Sequence, residues 1–274
     1  MSNLSFASNP LDRGHDSQCD PLERVRYFPR QLLTADDLGA EQEYHRERMR
    51  RHNRYLHGWG VVCGLSVQPM TGAAAWRLRV SPGYAIAPTG DEIHLCEPVE
   101  VDLRLGVQSA PCTVRSPCPP IGEMPPAGGD RLTAYIAARH AECYSRPVRV
   151  HPAGCGCDES ACEYSRVRET FEIQVLWQLP ESHKRAAQHD ASWCNQLREA
   201  ADAIGEARSF PVPPCPEPGC EPWVVLATVT LPGKQDPKPG GGTDAGKAVQ
   251  VSYKDRRVLL SVQHLQVALL CLRG

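Results

Sequence analysis

A chain of 274 residues, 41% apolar and 23% charged, is long enough to bury a core as one large domain or two small ones. A formal net charge of −2 and a pI near 6.5 exclude a global attraction to nucleic acid or anionic lipid, so an electrostatic partner has to meet a local patch. No stretch is apolar for long enough to span a membrane, and Met1 to Arg13 lack the basic and apolar regions of a secretory signal, which sets the expectation of cytoplasmic synthesis.

Residues 1–24 are polar and turn-rich, with Pro10, Gly14 and Pro21, and are expected to form a flexible arm that a neighbour orders. Thr34 and Asp37 have the spacing of a capping box, with Asp36 and Asp37 in the first turn where the helix dipole favours acids. The spacing predicts a helix over 35–56, ended by Gly58 in a left-handed turn. Gln42, His45, His52 and Tyr55 occupy positions where a core-facing helix would carry Leu or Ile, so another polypeptide is expected to complete its packing. Arg46, Arg48, Arg50, Arg51 and Arg54 could suggest phosphate binding, but Glu43 and Glu47 answer them at helical spacing, which favours an ionic or partner-facing surface. His45 and His52, seven residues apart, could ligate a metal shared between subunits, although hydrogen-bonded packing histidines explain them at less cost.

The period then changes to two, with Val61, Cys63, Leu65 and Val67 expected on one face. Trp76, Leu78 and Val80, then Tyr84 with Ile86, Ile93 with Leu95, and Val99 with Val101 and Leu103 continue an antiparallel meander. Ser81-Pro82-Gly83 and Pro88-Thr89-Gly90-Asp91 supply its turns. Residues 25–105 are therefore read as a helix plus a first β-subdomain, and the Pro- and Gly-rich residues 106–130 as a loop. Residues 131–274 are read as a second β-subdomain. Leu132, Ala134 and Ile136 alternate, as do Phe171, Ile173, Val175, Trp177 and Leu179, Trp223 to Leu231, and Val249 to Tyr253. Ser182 is expected to cap a bracing helix over 183–207, packed on the sheet through Ala187, Ala191, Cys194, Leu197, Ala201 and Ile204. Ser261 opens a short C-terminal helix. The fold class is α+β and β-dominated.

Thirteen cysteines, several closely spaced, point to metal ahead of disulfides in a reducing compartment. Cys155-Gly-Cys157 and Cys162 resemble one knuckle of a tetrahedral zinc site, with Cys143 or His151 as a fourth ligand; disulfides and free thiols are the alternatives, and disulfides gain if the protein matures outside the cell. Cys112, Cys118, Cys215 and Cys220 form a possible second cluster that would stitch two loops together. A full set of thiolate ligands leaves no open position, so such a zinc is structural. Cys63, Cys96, Cys194 and Cys271 sit in apolar patterns and are expected to pack as small hydrophobes. No Walker loop, dinucleotide fingerprint, nucleophile elbow or metallohydrolase helix motif is present, and no catalytic residue is assigned.

The opening Tyr27-Phe-Pro-Arg-Gln-Leu-Leu-Thr-Ala-Asp-Asp, the helix end Arg51-His-Asn-Arg-Tyr-Leu-His-Gly-Trp-Gly-Val-Val-Cys-Gly-Leu65 and the segment Ser81-Pro-Gly-Tyr-Ala-Ile to Gly90-Asp-Glu-Ile93 resemble a family of proteins associated with phage-tail-like contractile injection systems. The likeness covers roughly the first hundred residues, and it continues in the second half mainly through Cys155-Gly-Cys157 and Cys162-Glu-Tyr-Ser-Arg166. It implies a non-enzymatic structural part of such a particle, in the baseplate or at a tail-fibre attachment, made in the cytoplasm and released with the particle. Its partners would be other subunits, in an oligomer or hetero-assembly. Docking is expected through the helix, with Arg48, Arg51 and Tyr55 on the contact surface and Trp59 at the helix-to-strand corner. Two other readings stay open: a receptor- or carbohydrate-binding module using aromatics such as Trp193 or Tyr144, and a zinc hydrolase with an open coordination position.

Overall fold

The computed structural model describes residues 21–71, 76–103, 107–108, 131–149, 162–202, 212, 215–216, 221–232 and 249–271. The protein is β-dominated, with an N-terminal helix, antiparallel sheets, a bracing helix and a short C-terminal helix. The chain divides between Met49 and Arg50 into two compact units. No helix among the described residues is long and apolar enough to cross a membrane.

Helix α1 (Ala35–His52) begins at a reciprocal capping box. The Thr34 N–H donates to Asp37 Oδ2 at 2.9 Å, and the Asp37 N–H donates to Thr34 Oγ1 at 3.2 Å. The Thr34 backbone bond, followed by its hydroxyl, holds the Asp37 carboxyl below its ordinary range. The last helical residues widen into a π-helical turn, Asn53–His57, closed by the Gly58 N–H donating to Asn53 O at 2.9 Å. Gly58 has φ 79° and ψ −155°, so the helix ends on a positive-φ glycine, though outside the left-handed helical well.

Six short strands follow: β1 (Gly60–Gly64), β2 (Val67–Pro69), β3 (Arg77–Val80), β4 (Gly83–Ile86), β5 (Glu92–Leu95) and β6 (Val99–Asp102). They form two three-stranded sheets, ordered β1-β4-β5 and β2-β3-β6. The expected antiparallel pairing is there, but Ser81-Pro82-Gly83 is a bend leading from β3 in one sheet to β4 in the other and not a turn between paired strands. Leu65 N–H donates to Pro82 O at 3.1 Å and Ser81 N–H to Ser66 O at 2.9 Å, which carries the antiparallel pairing around the bend. Gly64 makes the bend possible: its φ is +60°, and a Cβ there would lie 2.1 Å from Pro82 O.

A register shift between Val61 and Cys63 places an extra residue in β1 opposite β4. Such a bulge reverses the inside–outside alternation. Val61 is therefore buried and Cys63 exposed, which corrects the expectation that both share the core face. Cys96 and Cys194 are also exposed rather than packed, and Cys271 side-chain packing lies outside the described residues.

The remaining strands are β7 (Val107–Gln108), β8 (Arg131–Arg149), β9 (Cys162–Leu176), β10 (Val224–Pro232) and β11 (Gln250–Ser252), in the order β11-β10-β8-β9-β7. Val61, Leu78, Val80, Ile93 and Val101 belong to the same buried cluster as Ile136, Ile173, Leu226 and Val229. The two β-halves thus share one core. On the opposite face of the five-stranded sheet, Ala137, Leu176, Trp223 and Val225 make a second, smaller cluster.

Helix α2 (Glu181–Asp202) braces this second face through its first turn. His183 is buried, whereas Ala187, Ala191 and Cys194 are exposed and Ala186, Trp193, Leu197 and Ala200 are half-buried. The packed stripe is therefore rotated from the expected one, because His183 rather than alanine sets the contact. Helix α3 (Val262–Cys271) starts where predicted, with Ser261 Oγ accepting from the His264 N–H at 3.4 Å.

Candidate functional site

The candidate docking element is α1, and its side chains explain why. The helix spans 18 residues and none of them is buried. Leu38, Met49, Tyr55 and Leu56 are 52%, 53%, 44% and 69% exposed, and Tyr27, Phe28, Leu32 and Leu33 ahead of the helix are exposed as well. Its polar residues pair locally: His45 Nε2 lies 3.2 Å from Glu41 Oε1, and Arg46 lies 3.8 Å from Glu43. These i,i+3 and i,i+4 pairs give only a few tenths of a kcal/mol each to a helix. Helices of this length are marginal alone, and most owe their stability to an apolar face packed on something else.

From Arg50 onward the chain is fixed to the β4–β5 turn. Arg50 Nε donates to Asp91 Oδ1 at 2.6 Å, Thr89 Oγ1 donates to Asp91 Oδ2 at 2.7 Å, and the buried Asn53 donates through Nδ2 to Gly90 O at 2.9 Å. Burial alone would push the Asp91 carboxyl up, but the Arg50 charge and the Thr89 bond outweigh it and hold it low. Gly90 has φ +91°, and a Cβ on it would meet Arg50 O at 2.4 Å. The Gly90-Asp91 pair noticed in the sequence is thus a clamp on the helix end.

Trp59 lies between two side chains of its own chain. The Arg257 guanidinium sits 5.0 Å from its ring centroid, and His183 meets it edge-on at 4.7 Å. Arg257 Nε also donates to Trp59 O at 3.1 Å, and its guanidinium pairs with Asp190 of α2. Val61 N–H donates to Arg257 O at 2.8 Å and Leu259 N–H to Val61 O at 2.9 Å, so the segment after β11 runs parallel beside β1. Sequence reasoning missed Arg257, His183 and Asp190 in this corner, since nothing local marks residues that meet across 67 positions or more. His183 Nε2 accepts the Val225 N–H at 3.0 Å, so the neutral ring carries its proton on Nδ1. Burial lowers the His183 pKa to about 4, with backbone bonds to Asp255 and Trp223 opposing.

The predicted contact residues are placed as follows. Arg48 and Tyr55 are exposed, Arg51 is half-buried, and Trp59 is half-buried within the corner just described. For the cysteines, Cys143 is in a disulfide, the alternative weighed beside zinc, and Cys215 is a free, exposed thiol. A disulfide sulfur is not the thiolate that zinc requires. Cys155, Cys157, His151, Cys112, Cys118, Cys220 and the side chain of Cys162 lie outside the described residues. Of the aromatics in the binding-module reading, Trp193 is half-buried and Tyr144 is exposed, stacked on Tyr164 with centroids 6.0 Å apart. Comparison with models of protein families and with curated proteins finds no match for this chain.

Proposed function

We propose that the chain is a structural, non-enzymatic assembly subunit of a phage-tail-like contractile injection particle, in its baseplate or fibre attachment, docking through α1. The observation that carries the docking reading is a helix of 18 residues that buries none of them while exposing Leu38, Met49 and, just beyond it, Leu56. Apolar side chains grouped on one exposed segment mark interaction surfaces. The particle itself is supported by the sequence resemblance of the first hundred residues. Arg48, Arg51 and Tyr55 belong to the proposed contact surface, and Trp59 anchors the helix-to-strand corner beside Arg257 and His183.

The test is incorporation. Leu56→Asp and Arg51→Glu leave the fold of the purified chain intact and lower its co-sedimentation with tail-like particles at least tenfold, a loss of about 1.4 kcal/mol or more in docking. Unchanged incorporation of both folded variants contradicts the proposal. A second reading, a receptor- or glycan-binding module, is favoured by the exposed Tyr144–Tyr164 stack. Glycan binding by the isolated chain that Tyr144→Ala abolishes would support that reading.

A further inference from the structure

We propose that His52 and His57 form a binding site for a divalent transition-metal ion of the zinc, nickel or copper type. In a regular α-helix, side chains five residues apart diverge by about 140° around the axis. The π-helical turn Asn53–His57 widens the helix where it matters and reduces that divergence. The two rings come to 5.1 Å between centroids at 64°, with Nε2 facing Nε2 at 3.3 Å.

That separation has a chemical meaning. Two imidazole nitrogens bound to one tetrahedral zinc at about 2.0–2.1 Å stand about 3.3–3.4 Å apart. The same 3.3 Å accommodates a direct N–H···N hydrogen bond between the rings, which a bound ion would replace. The pair has the bite of a chelate. Both rings are exposed, so an ion reaches them without opening the fold. Imidazole suits zinc, nickel and copper.

The turn is held in place independently of any ion. Asn53, inside the His52–His57 interval, is buried and bonded to Gly90 O at 2.9 Å, and Gly58 closes the turn on Asn53 O. The turn that brings His52 and His57 together is thus held by the backbone and by Asn53. Among the described residues no third His, Cys, Asp or Glu joins the pair, so water completes the coordination shell. The His45–His52 metal pair weighed as the costlier reading of the sequence does not form: His45 is bonded to Glu41, and His52 lies beside His57.

The test uses the full chain and Ni²⁺ alone as probe, with uptake measured by native mass spectrometry and affinity by titration calorimetry. Because the cysteines can also take metal, the comparison is between the protein and its His52→Ala, His57→Ala and double variants. The protein is expected to bind one more Ni²⁺ than the double variant, and each single variant to bind that ion at least tenfold more weakly. Ni²⁺ should also broaden the ring-proton resonances of His52 and His57 together. His57→Gln, which keeps a polar side chain at the end of the turn, must give the same loss if alanine unsettles the fold. Equal uptake by the protein and the double variant overturns the proposal. So does a single variant that keeps the full affinity, because one imidazole would then suffice.

Discussion

At the scale of single residues, the corner around Trp59 and the clamp around Gly90 rest on groups that tolerate few replacements. His183 has a depressed pKa of about 4 in the folded chain, against 6.5 for an ordinary histidine. Between those values the unfolded chain binds a proton that the folded one refuses, so stability rises with pH across the window and is lost as pH falls through it. Acidification from neutrality to about pH 5 should cost roughly 2 kcal/mol through this residue alone. Urea denaturation at the two pH values should show that loss in the protein and much less of it in His183→Gln, whose amide oxygen can still accept from Val225. Gly90→Ala forces a Cβ to 2.4 Å from Arg50 O at a φ of +91°, and should lower stability by about 1–3 kcal/mol, read as a lower urea midpoint. Neither role was legible in the sequence. The turn Pro88-Thr89-Gly90-Asp91 announced itself as a turn, but what its glycine faces is decided by residues about forty positions earlier.

At the scale of elements, the sequence was most legible where a pattern is local. The capping box of α1 and the β4–β5 hairpin follow from neighbours within a few residues and stand where expected, whereas in β10 a register shift between Val225 and Ala227 sends Trp223 and Val225 to the second cluster and Ala227, Val229 and Leu231 to the first, so the single face expected from their alternation is split. Patterns were lost where the backbone departs from its ideal. One inserted residue in β1 turned Cys63 outward, a π-turn brought His52 to His57, and the contact of His183 rotated the packed stripe of α2. The length of β8 was hidden for another reason: its pairing with β10 extends only as far as Ala138, and beyond that it continues with β9 alone, so core alternation stops while the strand does not. A buried ion pair stands at that point, Arg139 Nε to Glu172 Oε2 at 2.8 Å, with Arg139 4.9 Å from the Trp223 ring centroid. Removing one partner, as in Glu172→Gln, should cost about 3 kcal/mol by leaving a buried charge uncompensated, measurable as a drop in thermal midpoint. Trp59→Ala should destabilise the isolated chain by about 2–3 kcal/mol, whereas Tyr55→Ala should change it by less than about 0.5 kcal/mol. Comparable losses would place Tyr55 inside the fold instead of on the contact surface.

At the scale of the whole molecule, one core unites strands that the Pro- and Gly-rich residues 106–130 separate in sequence, so composition marked a boundary that packing does not respect. Mass measurement with and without reductant beside elemental analysis distinguishes zinc from disulfides at Cys155 and Cys157. No residue of α1 is buried. Apart from the Arg50 bond to Asp91, the side-chain contacts described for α1 are capping and local ion pairs, and the account requires another polypeptide to supply the rest. Amide hydrogen exchange over residues 35–57 tests this most directly, in the free chain and again in the assembled particle. The account predicts exchange in the free chain far faster than in β8 or β10, slowed at least tenfold on assembly. Protection in the free chain equal to that of the core strands, and unchanged in the particle, would contradict it.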